Sequence, residues 1–252
     1  MYRCRMIVTD LDGTLLTSDK IVTQRSLDAF ARCRGAGIKI AYATGRGDSS
    51  LTLVPQRCVD GRVVNNGSMA YDGGAIAYEC LVPHLAARPL LISLDKRGLK
   101  VGSQRLGRHY ANFVVSDEWS YIHDFVIVDF ATHDIDAEKI YVDACTPDDA
   151  DFIRERLPDE LYLTVSVDRM GMIMHRRATK SLAVEALARR WGIDRRDIIA
   201  FGDDMNDIDL LKYAGAGVAM GNALDEAKAA ADVVCGDNDS DGLAIWIEEN
   251  LL

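Results

Sequence analysis

Two apolar runs near opposite ends of the chain lead straight into carboxylates, and that restricts the folds open to it. Met6-Ile7-Val8 delivers Asp10 and Asp12, followed by Gly13 and Thr14. The stretch IAFGDDMNDIDLL delivers Asp203, Asp204, Asn206 and Asp207 after a glycine. Residues i and i+2 of a strand point to the same side. Like charges held that close repel and lose water, which is costly unless something positive sits between them. The carboxyl edge of an open α/β sheet is where such sheets bind ligands. The plain alternatives are a turn with solvated carboxylates at Asp10 and Asp12, and ordinary helix N-caps in the second stretch. Four acidic or amide groups within five positions are more than a cap requires.

The segments around these runs alternate strand and helix. Residues 4–10 read as a first strand, and Thr23 to Arg34 as a helix capped by Thr23 and ended by Gly35 and Gly37. GIKIAYATGR is a second strand, Ser49 to Cys58 a short helix weakened by Pro55, and RVVNNGSMAY a third strand cut at Asn66-Gly67. The pattern returns at about residue 173: a helix from Thr179 to Trp191, a strand in DIIAFGDD and a helix from Asn206 to Tyr213. GAGVAMG then reads as a strand, Ala223 to Ala231 as a helix, ADVVCG as a strand and GLAIWIEENLL as a last helix. This order predicts an α/β fold, a doubly wound parallel sheet with helices on both faces. Between the halves lie the strand-like runs LLISL, NFVVS, FVIVDF, KIYVDA and LYLTVSV, with one clear helix from Pro147 to Leu157. They predict an inserted α+β domain with a more antiparallel sheet. The expected division is 1–82 and 173–252 for the core and 83–172 for the insert.

At 252 residues, 48% hydrophobic and 27% charged, the composition is that of an ordinary globular protein. The first residues lack a signal peptide pattern, and no run has the roughly 18 apolar residues a membrane helix needs. Six cysteines without CxxC spacing read as reduced thiols, so a cytoplasmic setting and no zinc site are expected. A net charge of −10 argues against nucleic acid as a partner, and a membrane is not expected either. A small anionic substrate remains compatible, because a metal ion and a few placed cations make a locally positive site on an acidic protein.

Two further motifs supply such cations and donors. In YATGR, Thr44 and Gly45 offer a hydroxyl and open backbone N–H groups at a loop-to-helix entry, which suits an anion, although a TGR tripeptide also occurs by chance. In ATKSLAVEAL, Lys180 sits against the dipole of its helix, which favours a functional reason over a solvated lysine. If the two acidic strands are neighbours, Asp10, Asp203 and a main-chain carbonyl give hard oxygens for Mg²⁺. Magnesium, lysine and hydroxyl together form a phosphate cradle. A carboxylate inside one can act as a nucleophile.

DLDGTLL, TGR, the helix-borne Lys180 and GDDMNDIDLL, in this order, resemble the motifs of the haloacid dehalogenase (HAD) superfamily of phosphatases. The insertion between Thr44-Gly45-Arg46 and Lys180 resembles the Cof-type subgroup with its large α/β cap. Ser181 departs from the subgroup, which often has Gly there. The resemblance implies a HAD-like, Rossmann-like core and an aspartyl-phosphate on Asp10, with Asp12 protonating the leaving alcohol and then activating water. It implies phosphate contacts from Leu11, Thr44, Gly45, Lys180 and Asn206, and a Mg²⁺ site from Asp10, the Asp12 carbonyl and Asp203. Asp207 would orient Lys180 or a metal-bound water, and Asp204 and Arg46 would support the site. Asn66 and Gly67 would touch the substrate or simply form a turn.

The expected activity is a Mg²⁺-dependent phosphatase acting on small phosphorylated metabolites, with sugar phosphates foremost, as a monomer or small homo-oligomer. A phosphomutase using the same aspartate and a catalytically silent regulatory protein are the alternatives. A phosphoacceptor receiver module is about half this length, and the dehalogenase reading leaves Asp12 without a task. In the insert, Arg97, Lys100, Arg105, Arg108, His109 and Arg169 are polar candidates, each with a surface-charge reading beside it. His175 is the one histidine singled out. Trp119, Tyr121 and Phe125 read as packing of the insert.

Overall fold

A computed structural model of the chain describes residues 3–166 and 168–252. The chain divides into two compact units. One runs up to Glu79 and resumes at Thr179, and the other is Cys80–Ala178. These divisions lie beside the expected 82/83 and 172/173.

In the first half of the core, β1 (Met6–Thr9), α1 (Gln24–Gly35), β2 (Lys39–Ala43), α2 (Ser50–Leu53), β3 (Gly61–Val64), β4 (Met69–Asp72) and β5 (Ala75–Glu79) follow in order. Thr23 caps α1 by accepting from the Ser26 N–H. The expected helix from Ser49 to Cys58 is split at Pro55 into α2 and a 3₁₀ turn, Gln56–Cys58, because proline carries no N–H for the next bond. The insert holds α3 (His84–Lys96), β6 (Val101–Arg105), β7 (Arg108–Ala111), α4 (Val115–Glu118), β8 (Phe125–Ile127), β9 (Lys139–Val142), α5 (Pro147–Arg154), β10 (Leu161–Val165) and β11 (Gly171–His175). The core resumes with α6 (Lys180–Arg190), β12 (Ile198–Gly202), α7 (Ile208–Tyr213), β13 (Ala216–Ala219), α8 (Asp225–Ala230), β14 (Val233–Val234) and α9 (Gly242–Leu251).

The core sheet has the order β14-β13-β12-β1-β2-β3-β4-β5. Its strands are parallel from β14 to β3, and β4 and β5 add an antiparallel edge. The parallel sheet is the expected one, and the antiparallel pair extends it at one edge. The turn at Asn65–Gly67 is far too short for a parallel crossover, so the chain folds back beside itself. Alternation along the buried strands sorts the two faces. Met6, Val8, Ala41 and Ala200 pack against Ala183, Val184 and Leu187 of α6 and Leu210 of α7. On the other face Trp246 of α9 meets Phe201 of β12 edge-on at 5.4 Å, with α1 packed beside α9. Helices on both faces make the core doubly wound.

The insert's sheet has the order β10-β11-β9-β6-β7-β8, antiparallel except for the pair β7–β8. LLISL is not a strand: it lies in α3, where Ala87, Leu90, Leu91 and Leu94 recur at helical spacing and are all buried. NFVVS is not one either. Asn112 accepts from the Val101 N–H at 2.8 Å and donates to the Leu99 carbonyl at 2.9 Å, and Val115 opens α4. FVIVDF is a strand only over Phe125–Ile127. The helix expected from Pro147 to Leu157 ends at Arg154. Strands β5, β6, β7 and β11 are absent from the sequence reading; β6 lacks an apolar run and carries the buried polar residues Ser103 and Gln104, and β7 is similarly polar, whereas β5 and β11 are short strands close to the ends of the insert. Val167, the end of LYLTVSV, lies outside the described residues. Among the described residues no helix is long and apolar enough to cross a membrane.

Candidate active site

Strand order brings the acidic runs together. β12 and β2 flank β1, with Thr9 level with Phe201 on one side and Tyr42 on the other. Asp10, Asp203 and Thr44 therefore emerge from neighbouring strands at one carboxyl edge, where an open parallel sheet leaves a crevice. The Asp10 N–H donates to the Phe201 carbonyl at 2.9 Å, which carries the pairing one residue past the strand.

Lys180 lies at the centre. It is the first residue of α6, after the N-cap Thr179, and only 1% exposed. Its Nζ donates to Asp10 Oδ1 and to Asp207 Oδ1, each at 2.6 Å. Burial works to lower its pKa, but the two carboxylates outweigh that and hold the ammonium charged. Asp207 is fully buried, and its second oxygen accepts the N–H groups of Asp203 and Asp204, both at 3.1 Å. With both oxygens engaged, Asp207 positions Lys180 and closes the β12 turn. Asp204 is exposed and caps that turn by accepting from the Met205 N–H, as an ordinary N-cap does.

Oxygens of Asp10, Asp203 and Asp207 lie within 4.8 Å of one another. Three carboxylates around one ammonium leave negative charge uncompensated. Burial, with Asp207 and Asp203 nearby, pushes the Asp10 carboxyl upward against the pull of Lys180. Burial likewise pushes Asp203 up to about 6. The donor set is all hard oxygen and short of positive charge, which fits a divalent cation such as Mg²⁺. Asp10 and Asp203 each use Oδ1, on Lys180 and on the Thr14 hydroxyl at 2.7 Å, so their Oδ2 atoms are the donors best placed for it. Gly13 makes this approach feasible: at φ +80° it carries no Cβ, which would stand 2.2 Å from Asp203 Oδ2.

Asp12 faces a different environment. Arg46 donates to it twice, Nε to Oδ2 at 2.5 Å and Nη2 to Oδ1 at 2.7 Å, and Lys20 Nζ adds a third bond at 2.8 Å. The Arg46 fork, with Lys20 assisting, holds its carboxyl down at about 2. Two carboxylates two residues apart thus have opposite tendencies, Asp10 raised by burial and Asp12 lowered by Arg46 and Lys20.

The loop after β2 forms the opposite wall. Thr44 is buried, and its Oγ1 accepts from the Arg46 N–H at 3.1 Å. The Asn66 N–H donates to the Thr44 carbonyl at 3.0 Å, and Asn206 Nδ2 donates to Asn66 Oδ1 at 3.0 Å. Gly45 stands against the Asn66 amide, so Thr44, Gly45, Asn66 and Asn206 converge. Leu11 buries its side chain and presents only backbone at the turn. Gly67 has φ +100°, and a Cβ there would stand 2.1 Å from the Thr179 carbonyl oxygen. Gly67→Ala is expected to lower stability by about 3 kcal/mol or more through combined strain and overpacking, and to displace the N-terminus of α6. A urea midpoint within error of the unmodified protein would refute it.

Thr14 and Lys20 carry no role in the sequence reading. Thr14 was legible as part of DLDGT, whereas Lys20 reaches Asp12 only because the chain turns back between Leu16 and Val22. Asn222, in GVAMGNA, donates to the Gly13 carbonyl at 2.8 Å. In the insert, Arg97 pairs with Asp148 and Asp149, Lys100 with Glu118 and Arg108 with Asp124, which is the surface-charge reading. His175 Nδ1 accepts from the Arg177 N–H at 3.0 Å and has Cys80 Sγ at 3.3 Å.

The chain matches the family model described as haloacid dehalogenase-like hydrolase over residues 7–247. It is 30% identical to the pyridoxal phosphate phosphatase YbhA of Escherichia coli, with 98% of this chain and 99% of that one covered. It is 26% identical to the 5-amino-6-(5-phospho-D-ribitylamino)uracil phosphatase YitU of Bacillus subtilis, over 97% and 96%. Among solved structures, a haloacid dehalogenase-like hydrolase from Bacteroides thetaiotaomicron superposes with a TM-score of 0.83 at 25% identity, over 98% and 99% of the two chains.

Proposed function

Because the chain belongs to the haloacid dehalogenase-like hydrolases, as a phosphatase of the Cof type, we propose that Asp10 is its nucleophile and Mg²⁺ its cofactor. The observation that carries this reading is the buried Asp10–Lys180–Asp207 array, set beside an ionised Asp12 at one sheet edge. Small phosphorylated metabolites are the substrates, in line with the pyridoxal phosphate and phosphoribitylamino-uracil named for the relatives. Sugar phosphates stay in the test panel.

An Asp10 carboxylate oxygen attacks phosphorus while the bond to the leaving oxygen breaks, and the departing alcohol takes a proton from Asp12. Water then attacks the aspartyl-phosphate. Asp12 takes the water's proton, the bond to Asp10 breaks, and inorganic phosphate leaves. Asp12 is ionised without substrate, so its acid role requires the clamp to loosen. A bound phosphate dianion does this: it brings negative charge toward Asp12 and competes for the Arg46 guanidinium, whose fork matches phosphate. Thr44, the Gly45 N–H, the Leu11 backbone, Asn206 and Lys180 hold the phosphate oxygens, and Asn66 and Gly67 hold the wall beside them. Asp10, the Asp12 carbonyl and Asp203 would hold Mg²⁺, which when bound offsets charge on the transferring group. The inserted domain selects the substrate.

Phosphate release from a panel of phosphorylated metabolites, with Mg²⁺ and with excess chelator, tests this. Metal-dependent release supports it, whereas phosphoryl transfer between substrate positions without release points to the mutase. Metal binding should also be pH-linked. The Asp203 carboxyl titrates near 6 in the fold, above its ordinary value, so the metal-free protein loses this group's stability contribution as pH rises through that window. Mg²⁺ competes with the same proton. The rise in melting temperature on adding Mg²⁺ is therefore expected to be small at pH 5 and to grow by pH 7.5. A shift that does not depend on pH would count against Asp203 as a ligand.

A further inference from the structure

One loop of the core touches, from outside, both segments that carry the candidate metal ligands. β13 ends at Ala219, and residues 220–224 lead from it to α8. Within that loop Asn222 Nδ2 donates to the Gly13 carbonyl at 2.8 Å, and the Leu224 N–H donates to the Asp203 carbonyl at 2.9 Å. The two segments are also tied to each other, because Thr14 Oγ1 donates to Asp203 Oδ1 at 2.7 Å.

The Asn222 amide is aimed by a second loop, residues 236–242. The Asn238 N–H donates to Asn222 Oδ1 at 3.0 Å, which leaves Nδ2 for Gly13. A backbone N–H only donates and a carbonyl only accepts, so the amide fits one way round. Asn238 also reaches the loop after β1 directly: its Nδ2 donates to the Leu16 carbonyl at 2.9 Å. Asp239 accepts from the Ser18 N–H and from its hydroxyl, each at 2.7 Å. The two outer loops are closed on one another. The Gly221 N–H donates to the Gly236 carbonyl at 3.1 Å, and a Cβ at Gly221 would stand 2.1 Å from Asp237 Oδ1.

These bonds matter because of where Gly13 sits. The peptide before it carries the Asp12 carbonyl, and the peptide after it carries the carbonyl that Asn222 holds. Gly13 has φ +80° and no Cβ, so little in the residue itself fixes one peptide relative to the other. We propose that Asn222, with Asn238 behind it, is a positioning residue for Mg²⁺: it fixes the Gly13–Thr14 peptide and, through it, the direction of the Asp12 carbonyl. The proposal rests on the metal reading above and deepens it. Groups that orient the ligands govern metal affinity for a given ligand set. Mg²⁺ depends on such restraint because it demands a near-ideal octahedron, whereas Ca²⁺ accepts an irregular one.

Calorimetric titration of the full-length protein, with Mg²⁺ alone and with Ca²⁺ alone, tests this. In Asn222→Ala the Kd for Mg²⁺ is expected to rise about tenfold and that for Ca²⁺ by less than about threefold, so the preference for Mg²⁺ falls. Asn222 is exposed and the substitution changes no charge, so neither core packing nor electrostatics produces that split. Asn238→Ala should move the ratio in the same direction, and phosphate release by both variants should recover at saturating Mg²⁺. An unchanged Kd for Mg²⁺ would overturn the positioning role and leave the metal reading standing. So would an equal rise for both ions together with a lower urea midpoint. Unmodified protein that takes up no Mg²⁺ would overturn the metal reading, and the positioning role with it.

Discussion

Asp10→Asn is expected to reduce phosphate release by on the order of 10⁴-fold or more, because an amide oxygen cannot form the covalent intermediate. The protein should nevertheless remain folded. Asp10 is one of three carboxylates crowded around a single ammonium, and burial already disfavours its charge. Neutralising it relieves repulsion, while Lys180 keeps Asp207 as its partner at 2.6 Å. The melting temperature in chelator should hold or rise, and the stabilisation by Mg²⁺ should shrink with the loss of a ligand. Full activity in this variant would sink the aspartyl-phosphate mechanism. Loss of activity accompanied by unfolding would instead show Asp10 to be a structural charge.

Lys180→Met should fail differently, losing stability as well as activity. The ammonium is the sole positive group bonded to Asp10 and Asp207 among the described residues, and all three side chains are almost fully removed from water. Removing one partner of such an array leaves buried carboxylates uncompensated, at a cost of about 3–5 kcal/mol. The sign of the pH dependence follows from the carboxyl pKa values, which rise further without the ammonium. Folded carboxyls that titrate above their unfolded values stabilise the fold at low pH and lose that contribution as pH rises through the folded pKa. The deficit against the unmodified protein should therefore be smaller at pH 5 than at pH 8, as read from urea midpoints. A deficit that is constant with pH would mean that the methionine disrupts packing and not charge balance.

Much of this site was legible in the sequence. DLDG and GDDMND announce themselves as carboxylates at strand ends, and Lys180 stands out because a cation in a first helical turn opposes the dipole. The parallel strands of the core and their helices were legible too, because buried parallel strands are continuous apolar runs and the helices carry regular caps such as Thr23 and Thr179, whereas the edge strand β5, largely exposed, was not. The insert was not. LLISL is an apolar run that a strand or a helix could use, and only the wider spacing of Ala87, Leu90, Leu91 and Leu94 separates the two. VGSQR and RHYA lack the apolar signature of a strand, and their pairing depends on partners distant in the chain.

The sequence by itself determined the set of reactive groups and, through the order of strands and helices, the edge on which Asp10, Thr44 and Asp203 emerge. Their differing electrostatic states were decided only by the tertiary structure. Asp10 and Asp12 are the same residue type two positions apart in a single motif. Burial beside Lys180 raises one, while the Arg46 fork and Lys20 lower the other to about 2. The reason is physical: a side chain's chemistry is local, but its desolvation and its charged neighbours are set by residues far along the chain.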